Sequence, residues 1–307
     1  MRRCRDHLAA AGPAAGAAVM ATGIVSVALA DDGRTTLSLA LLAAAAGLWV
    51  VLVALAVHRA ATEGPRWREE ACSPAALTAV AATVVLGSRL ALLGDVSIGA
   101  ALLAVAVCLW AALLVPVLRH WRTPTVGGSF MLTVATEALA ALAALVAYER
   151  GSAWLAYAAL APLVLGFAAY GFVLARFDLR ELLLGAGDQW VAGGALAIAT
   201  LACARVAAAV PDATLARALE DAALTLWVTA AAWLPLLVAA ELRRPRLVYD
   251  VRRWATVFPF GMYAACSFVT ARVTDHEWLE SFARVWVWVA LAAWALVAAG
   301  ALRRAAR

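Results

Sequence analysis

The chain has 307 residues, 65% hydrophobic and 15% charged, with a formal net charge of +5 and a mean hydropathy of +0.87. Soluble domains are about half apolar and a quarter charged, so a water-soluble fold is excluded and the bilayer is the solvent for most of the surface. All 25 basic residues are arginine and gather in loops, which marks membrane topology rather than a nucleic-acid footprint.

Backbone in hydrocarbon must bond to itself, as helices or a closed barrel. Long unbroken Ala/Leu/Val runs do not show the alternation of barrel strands. At about 20 apolar residues per span, ten spans follow in chain order: 13–30, 36–57, 75–93, 97–118, 126–148, 152–175, 189–210, 215–240, 254–272 and 280–302. The start, MRRCRDHLAAAG, is basic and then apolar like a signal peptide, but Pro13 and the following run continue into a full span, so it reads as a retained first helix. Loops 31–35, 94–96 and 149–151 are very short, and those on the other side are longer and more basic. The spans therefore pair as five hairpins in a single domain over residues 1–307.

With the N-terminus inside, 18 arginines lie on the cytoplasmic side: Arg2, Arg3, Arg5, Arg59, Arg66, Arg68, Arg119, Arg122, Arg176, Arg180, Arg243, Arg244, Arg246, Arg252, Arg253, Arg303, Arg304 and Arg307. The other 7 lie outside. By the positive-inside rule this bias predicts an even number of spans and both termini in the cytoplasm, in a bacterial-type cell membrane. The loop RRPRLVYDVRR (243–253) is the most basic stretch and reads as orientation plus contact with anionic head groups.

Odd spans differ from even ones. Each holds glycine: Gly16 and Gly23, Gly87, Gly127 and Gly128, Gly193 and Gly194, Gly261. Each of three also carries a small or polar stripe at helical spacing: Thr22 and Ser26; Ser129, Thr133, Thr136 and Glu137; Gln189, Gly193, Ala197 and Thr200. Such a stripe faces a neighbouring helix or a water-filled path. Its recurrence on alternate helices predicts an inner ring of five around a path, lined by Thr22, Gly23, Ser26, Gly87, Thr133, Thr136, Gly193, Thr200 and Gly261, with even helices facing lipid.

No catalytic constellation is present. The five cysteines (Cys4, Cys72, Cys108, Cys203, Cys266) are scattered, and none of the four histidines (His7, His58, His120, His276) lies inside an apolar run. No metal, haem or other cofactor site is expected, nor an enzyme. Glu137 is the deepest acid, where a charge costs at least ~3 kcal/mol on insertion scales. It is either a proton-binding site coupling anion movement to protons or a protonated or hydrogen-bonded packing group. Five outside arginines, Arg34, Arg89, Arg150, Arg205 and Arg272, fall one per odd helix at or past its outer end. They read as a cationic mouth, with Arg89 and Arg205 as the anion contacts. The alternative is stabilisation of helix C-termini and pairing with nearby acids.

Four segments resemble the tellurite-resistance/dicarboxylate transporter family: AVMATGIVSVALA (18–30), VLGSRLALLG (85–94), WVAGGALAIATLA (190–202) and YDVRRWATVFPFGMYAACSF (249–268), the last with its Phe-Pro-x-Gly-Met-Tyr signature. The resemblance implies ten helices in five hairpins with pseudo-fivefold symmetry. It also implies a central pore lined by odd helices, frequent assembly as trimers, and a pore-plugging Phe on helix 9, here Phe258. Phe258 lies nearly opposite the face shared by Thr256, Phe260, Tyr263, Ser267 and Thr270. Pro259 should distort the helix and turn Phe258 inward; on an undistorted helix Phe260 is the better plug. The expected function is passage of a small anion, a dicarboxylate such as malate or an inorganic anion such as chloride, nitrate, sulfite or tellurite. A proton-coupled carrier using Glu137 is the alternative, and a non-transporting structural or lipid-binding bundle is a more remote one.

Overall fold

The computed structural model describes residues 15–246 and 248–306. Arg2, Arg3, Cys4, Arg5, His7, Pro13 and Arg307 lie outside the described residues, as does the side chain of Arg66. The chain is built from apolar helices: α1 (Gly16–Asp31), α2 (Thr35–Thr62), α3 (Pro74–Ala91), α4 (Val96–Arg119), α5 (Gly127–Arg150), α6 (Ala153–Leu174), α7 (Asp188–Ala209), α8 (Ala213–Arg243), α9 (Val251–Thr274) and α10 (Glu277–Ala305). Nine are long and apolar enough to cross a membrane, and α1 contributes 16 described residues. The first turns of α3, α5, α7 and α9 are 3₁₀, and α6 breaks at Ala159. No strand occurs among the described residues beyond one parallel bridge between Thr125 and Phe177. This is the all-helical, polytopic architecture expected from the apolar runs.

Burial alternates along the chain. The apolar stretches of α3, α5, α7 and α9 are 72–100% buried, whereas those of α2, α4, α6, α8 and α10 are 11–28% buried. Nearly all of α1 is buried as well. Each helix is apolar all round, which in water would demand complete burial. Here the peripheral helices leave Val50, Val53, Val164, Leu236 and Leu296 exposed, a surface that only lipid suits.

The core helices pack in sequence, α1 on α3, α3 on α5, α5 on α7, α7 on α9, and α9 back on α1. Each peripheral helix packs on the core helix of its own hairpin and on that of the next, and α10 packs on α1. Small residues permit the close approaches. A Cβ on Gly23 would meet Val85 at 2.7 Å, and one on Gly194 would meet Pro259 at 2.7 Å.

The short connections turn as tightly as their lengths require. Gly33, Gly94 and Gly151 take φ of +75°, +100° and +60° at the ends of α1, α3 and α5, a region glycine enters without a Cβ clash. At the fourth such turn Asp212 caps α8 by accepting from the Leu215 amide at 2.7 Å.

Candidate functional site

Polar side chains on the core helices point at the peripheral helices. Four indoles donate across these junctions: Trp49 of α2 to Thr83 Oγ1 of α3 at 3.0 Å, Trp110 of α4 to Thr136 Oγ1 of α5 at 2.9 Å, Trp227 of α8 to Ser267 Oγ of α9 at 2.7 Å, and Trp294 of α10 to Thr22 Oγ1 of α1 at 2.9 Å. Ser26 and Ser38 exchange bonds between α1 and α2, each hydroxyl donating to the other's carbonyl at 2.6 and 2.7 Å. In a dry environment a hydroxyl needs an acceptor, and an indole N–H needs one too. Thr133 lies between Thr136 and Glu137 on the same side of α5; it is fully buried, and its Oγ1 has no partner among the described residues. Thr200 bonds to its own helix at Leu196 O, 2.8 Å, on the side of α7 where Gly193 meets Trp233 and Leu237 of α8.

The glycines expected along the path serve as helix contacts. Gly23 faces Val85 and Ala45, Gly87 faces Leu142 and Leu102, Gly193 faces Tyr263 and Trp233, and Gly261 faces Ile24 and Val25. Thr22, Ser26, Thr136 and the glycines all contact neighbouring helices. Sequence periodicity identified the stripes; it did not tell which neighbour they met.

On α9 the arrangement separates the two candidate phenylalanines. Phe260 is half-buried between Trp190, at 4.7 Å, and Trp286 of α10, at 5.8 Å. Tyr263 donates to Ala230 O of α8 at 2.7 Å. The flanks of α9 are taken by α7, through Pro259 on Gly194, and by α1, through Ile24 and Val25 on Gly261. Phe258 lies on the remaining side, in a stripe with Ala255, Met262, Ala265 and Val269. Ala255 and Val269 at its ends are partly exposed, while Phe258, Met262 and Ala265 between them are 0% exposed. The expected distortion at Pro259 is not needed: α9 runs as helix through it. The face bearing Phe260 and the hydroxyls meets α8, α10 and the start of α7, and Phe258 lies on the opposite side of α9.

Glu137 is fully buried and turned to α6, where the missing side chain of Gly166 makes room for it. Neither carboxyl oxygen has a hydrogen-bond partner among the described residues. The one tryptophan of α6, Trp154, is exposed, and the α6–α7 junction lacks the indole bond found at α2–α3, α4–α5, α8–α9 and α10–α1.

The five arginines expected at the outer ends of the odd helices divide. Arg34 pairs with Asp32 at 3.1 Å and lies over the Trp288 ring. Arg272 pairs with Asp31 of α1, and Arg150 is exposed. Arg89 and Arg205 are 3% and 7% exposed. Arg89 donates through Nε to Ser38 Oγ at 2.9 Å. Arg205 reaches from α7 to α3 and α5, donating to Ser88 Oγ at 3.3 Å and to Ala141 O at 3.4 Å. α7 packs on α5 and α9, so the bond to Ser88 links Arg205 to a helix beyond its immediate neighbours. Neither has a carboxylate within 4 Å among the described residues, and the acid whose charge both feel at longer range is Asp31, already paired with Arg272. Ser38, Ser88 and Asp31 were not singled out as site residues from sequence; the Gly-Ser-Arg run at 87–89 was the visible hint for Ser88. Among the described residues no group of three or more His, Cys, Asp or Glu could hold a metal ion.

The chain matches the family model of the voltage-dependent anion channels (SLAC1) over residues 11–302. No curated protein matches it. The match reaches into every helix described above, and the chain belongs to this family, in which membrane-embedded helical proteins carry anions rather than catalyse reactions.

Proposed function

We propose that this protein passes small anions through a central path enclosed by α1, α3, α5, α7 and α9. In this reading all ten helices cross a cell membrane as a pseudo-fivefold ring of hairpins, with both termini in the cytoplasm and three copies per assembly. Phe258 closes the middle of the path, and Arg89 and Arg205 draw anions to its outer end.

The observation that carries the reading is the pair of guanidinium groups, Arg89 and Arg205, buried without a counter-ion among the described residues. A buried charge lacking a partner costs several kcal/mol. Each guanidinium has five N–H donors, and one nitrogen of each bonds a protein acceptor. An anion that completes this coordination relieves the cost while it stays; a cation is repelled. The apolar wall beyond offers no second strong site, so a bound anion leaves readily, as conduction requires. Glu137 fits the scheme because it faces α6 and places no negative charge in the path.

The test is flux in proteoliposomes loaded in turn with chloride, nitrate, sulfite, malate and tellurite, with and without a pH gradient. Anion passage above protein-free vesicles, with no cation passage, is expected. Absence of flux for every anion, including in a Phe258→Ala variant, overturns the reading. Cross-linking in membranes tests the trimer.

A further inference from the structure

At the arginine-rich end of the bundle, the short helix Gly64–Ala71, the end of α4 and the start of α5 enclose a half-open cleft of about 1110 Å³. It lies where α4 leaves its apolar stretch, and it is amphipathic. Val115, 49% exposed, and Pro116 form a wall continuous with the lipid-facing side of α4. Beyond them Arg68, Arg119 and Arg122 line the rim, all exposed. Among the described residues none of the three has a carboxylate within 4 Å. Glu69 is the one acid in the lining; its neighbour Glu70 is taken by Arg59 at 2.8 Å. Trp121 also lines the cleft, and its buried indole N–H has no acceptor among the described residues.

We propose that this cleft holds the head group of an anionic phospholipid, with its phosphate among Arg68, Arg119 and Arg122 and its acyl chains along Val115 and α4. Three uncompensated guanidinium groups match a phosphodiester. A free anion would use the rim but not the apolar wall, whereas a lipid uses both. Trp121 stands where indoles anchor at the membrane interface, with an N–H to offer a glycerol or phosphate oxygen. The site is separate from the central path, and it explains why these arginines stand unpaired.

The experiment is native mass spectrometry of the delipidated full-length protein in detergent, titrated with phosphatidylglycerol or phosphatidylcholine. Phosphatidylglycerol should bind far more tightly than phosphatidylcholine. The triple variant Arg68→Ala/Arg119→Ala/Arg122→Ala should weaken it about a hundredfold, at roughly a factor of five per arginine near the membrane surface. Arg303→Ala/Arg304→Ala, which lowers the same end's charge at exposed positions outside the cleft, should leave binding unchanged. Trp121→Phe should weaken it by a smaller factor. Equal losses in the two arginine variants, no loss in the triple variant, or displacement of the lipid by millimolar inorganic phosphate would each overturn the assignment. Anion flux is not read here, so failure of this proposal and failure of the anion-passage reading are separately visible.

Discussion

Phe258→Ala should open the path, and Phe260→Ala should not. Phe258 is completely buried in the sealed middle of the α9 stripe, and in an open path its ring would face water. Burying a phenylalanine ring is worth about 1.5–3 kcal/mol. That stabilisation belongs to the shut state, so removing the ring moves the shut–open equilibrium by the same amount. At about 1.4 kcal/mol per factor of ten, basal anion flux should rise about 10- to 100-fold. Phe260 instead packs against Trp190 and Trp286, and its truncation should cost stability through lost aromatic contacts of about 0.5–1.5 kcal/mol each while flux stays near wild type. Stopped-flow anion flux on both variants, each checked for monodispersity, reads the difference. A folded Phe258→Ala protein with wild-type flux, or an equal rise in Phe260→Ala, would refute the assignment of the inward face.

Three further outcomes are expected. Arg89→Gln and Arg205→Gln should each lower anion flux about three- to tenfold at low ionic strength and less at high salt, because long-range attraction is screened; flux measured at two salt concentrations tests this, and equal losses count against attraction. Glu137→Gln should keep the wild-type pH dependence of flux, since the carboxyl faces Gly166 and has no hydrogen-bonding neighbour to take its proton; a flattened pH profile would favour the proton-coupled carrier. Replacing Trp49, Trp110, Trp227 and Trp294 together by Phe should destabilise the bundle by about 2 kcal/mol, at roughly 0.6 kcal/mol per interhelical bond, read as a lowered Tm in detergent; an unchanged Tm would mean that the indoles bond equally well elsewhere.

The helices were legible because a bilayer forces one simple pattern on sequence. The run expected at 97–118 is the helix Val96–Arg119, and that expected at 215–240 is Ala213–Arg243. The alternation of buried and exposed helices was also visible, in the stripes of small and polar residues on odd spans. The direction those stripes face was not. A hydroxyl at Thr136 satisfies its chemistry equally well beside water or beside the indole of Trp110, and helical spacing alone is silent between them. The missed clue was on the partner: Trp49, Trp110, Trp227 and Trp294 stand within even spans, where an indole N–H can meet an acceptor across the junction. Arg89 and Arg205 stood out as the deepest arginines, but Arg205's reach across to Ser88 depends on tertiary placement.

The four indole bonds also bear on how the protein is made. Each ties a hairpin's second helix to the first helix of the hairpin that follows, except that Trp294 ties the last helix to the first. During synthesis the second, third and fifth pairs can therefore each dock through such a bond on the pair already in the membrane. The final bond must wait until the whole chain has emerged, and Thr22 has no indole to meet until then. A chain stopped before α10 would leave that seam unzipped, giving membrane quality control a simple mark of an unfinished protein.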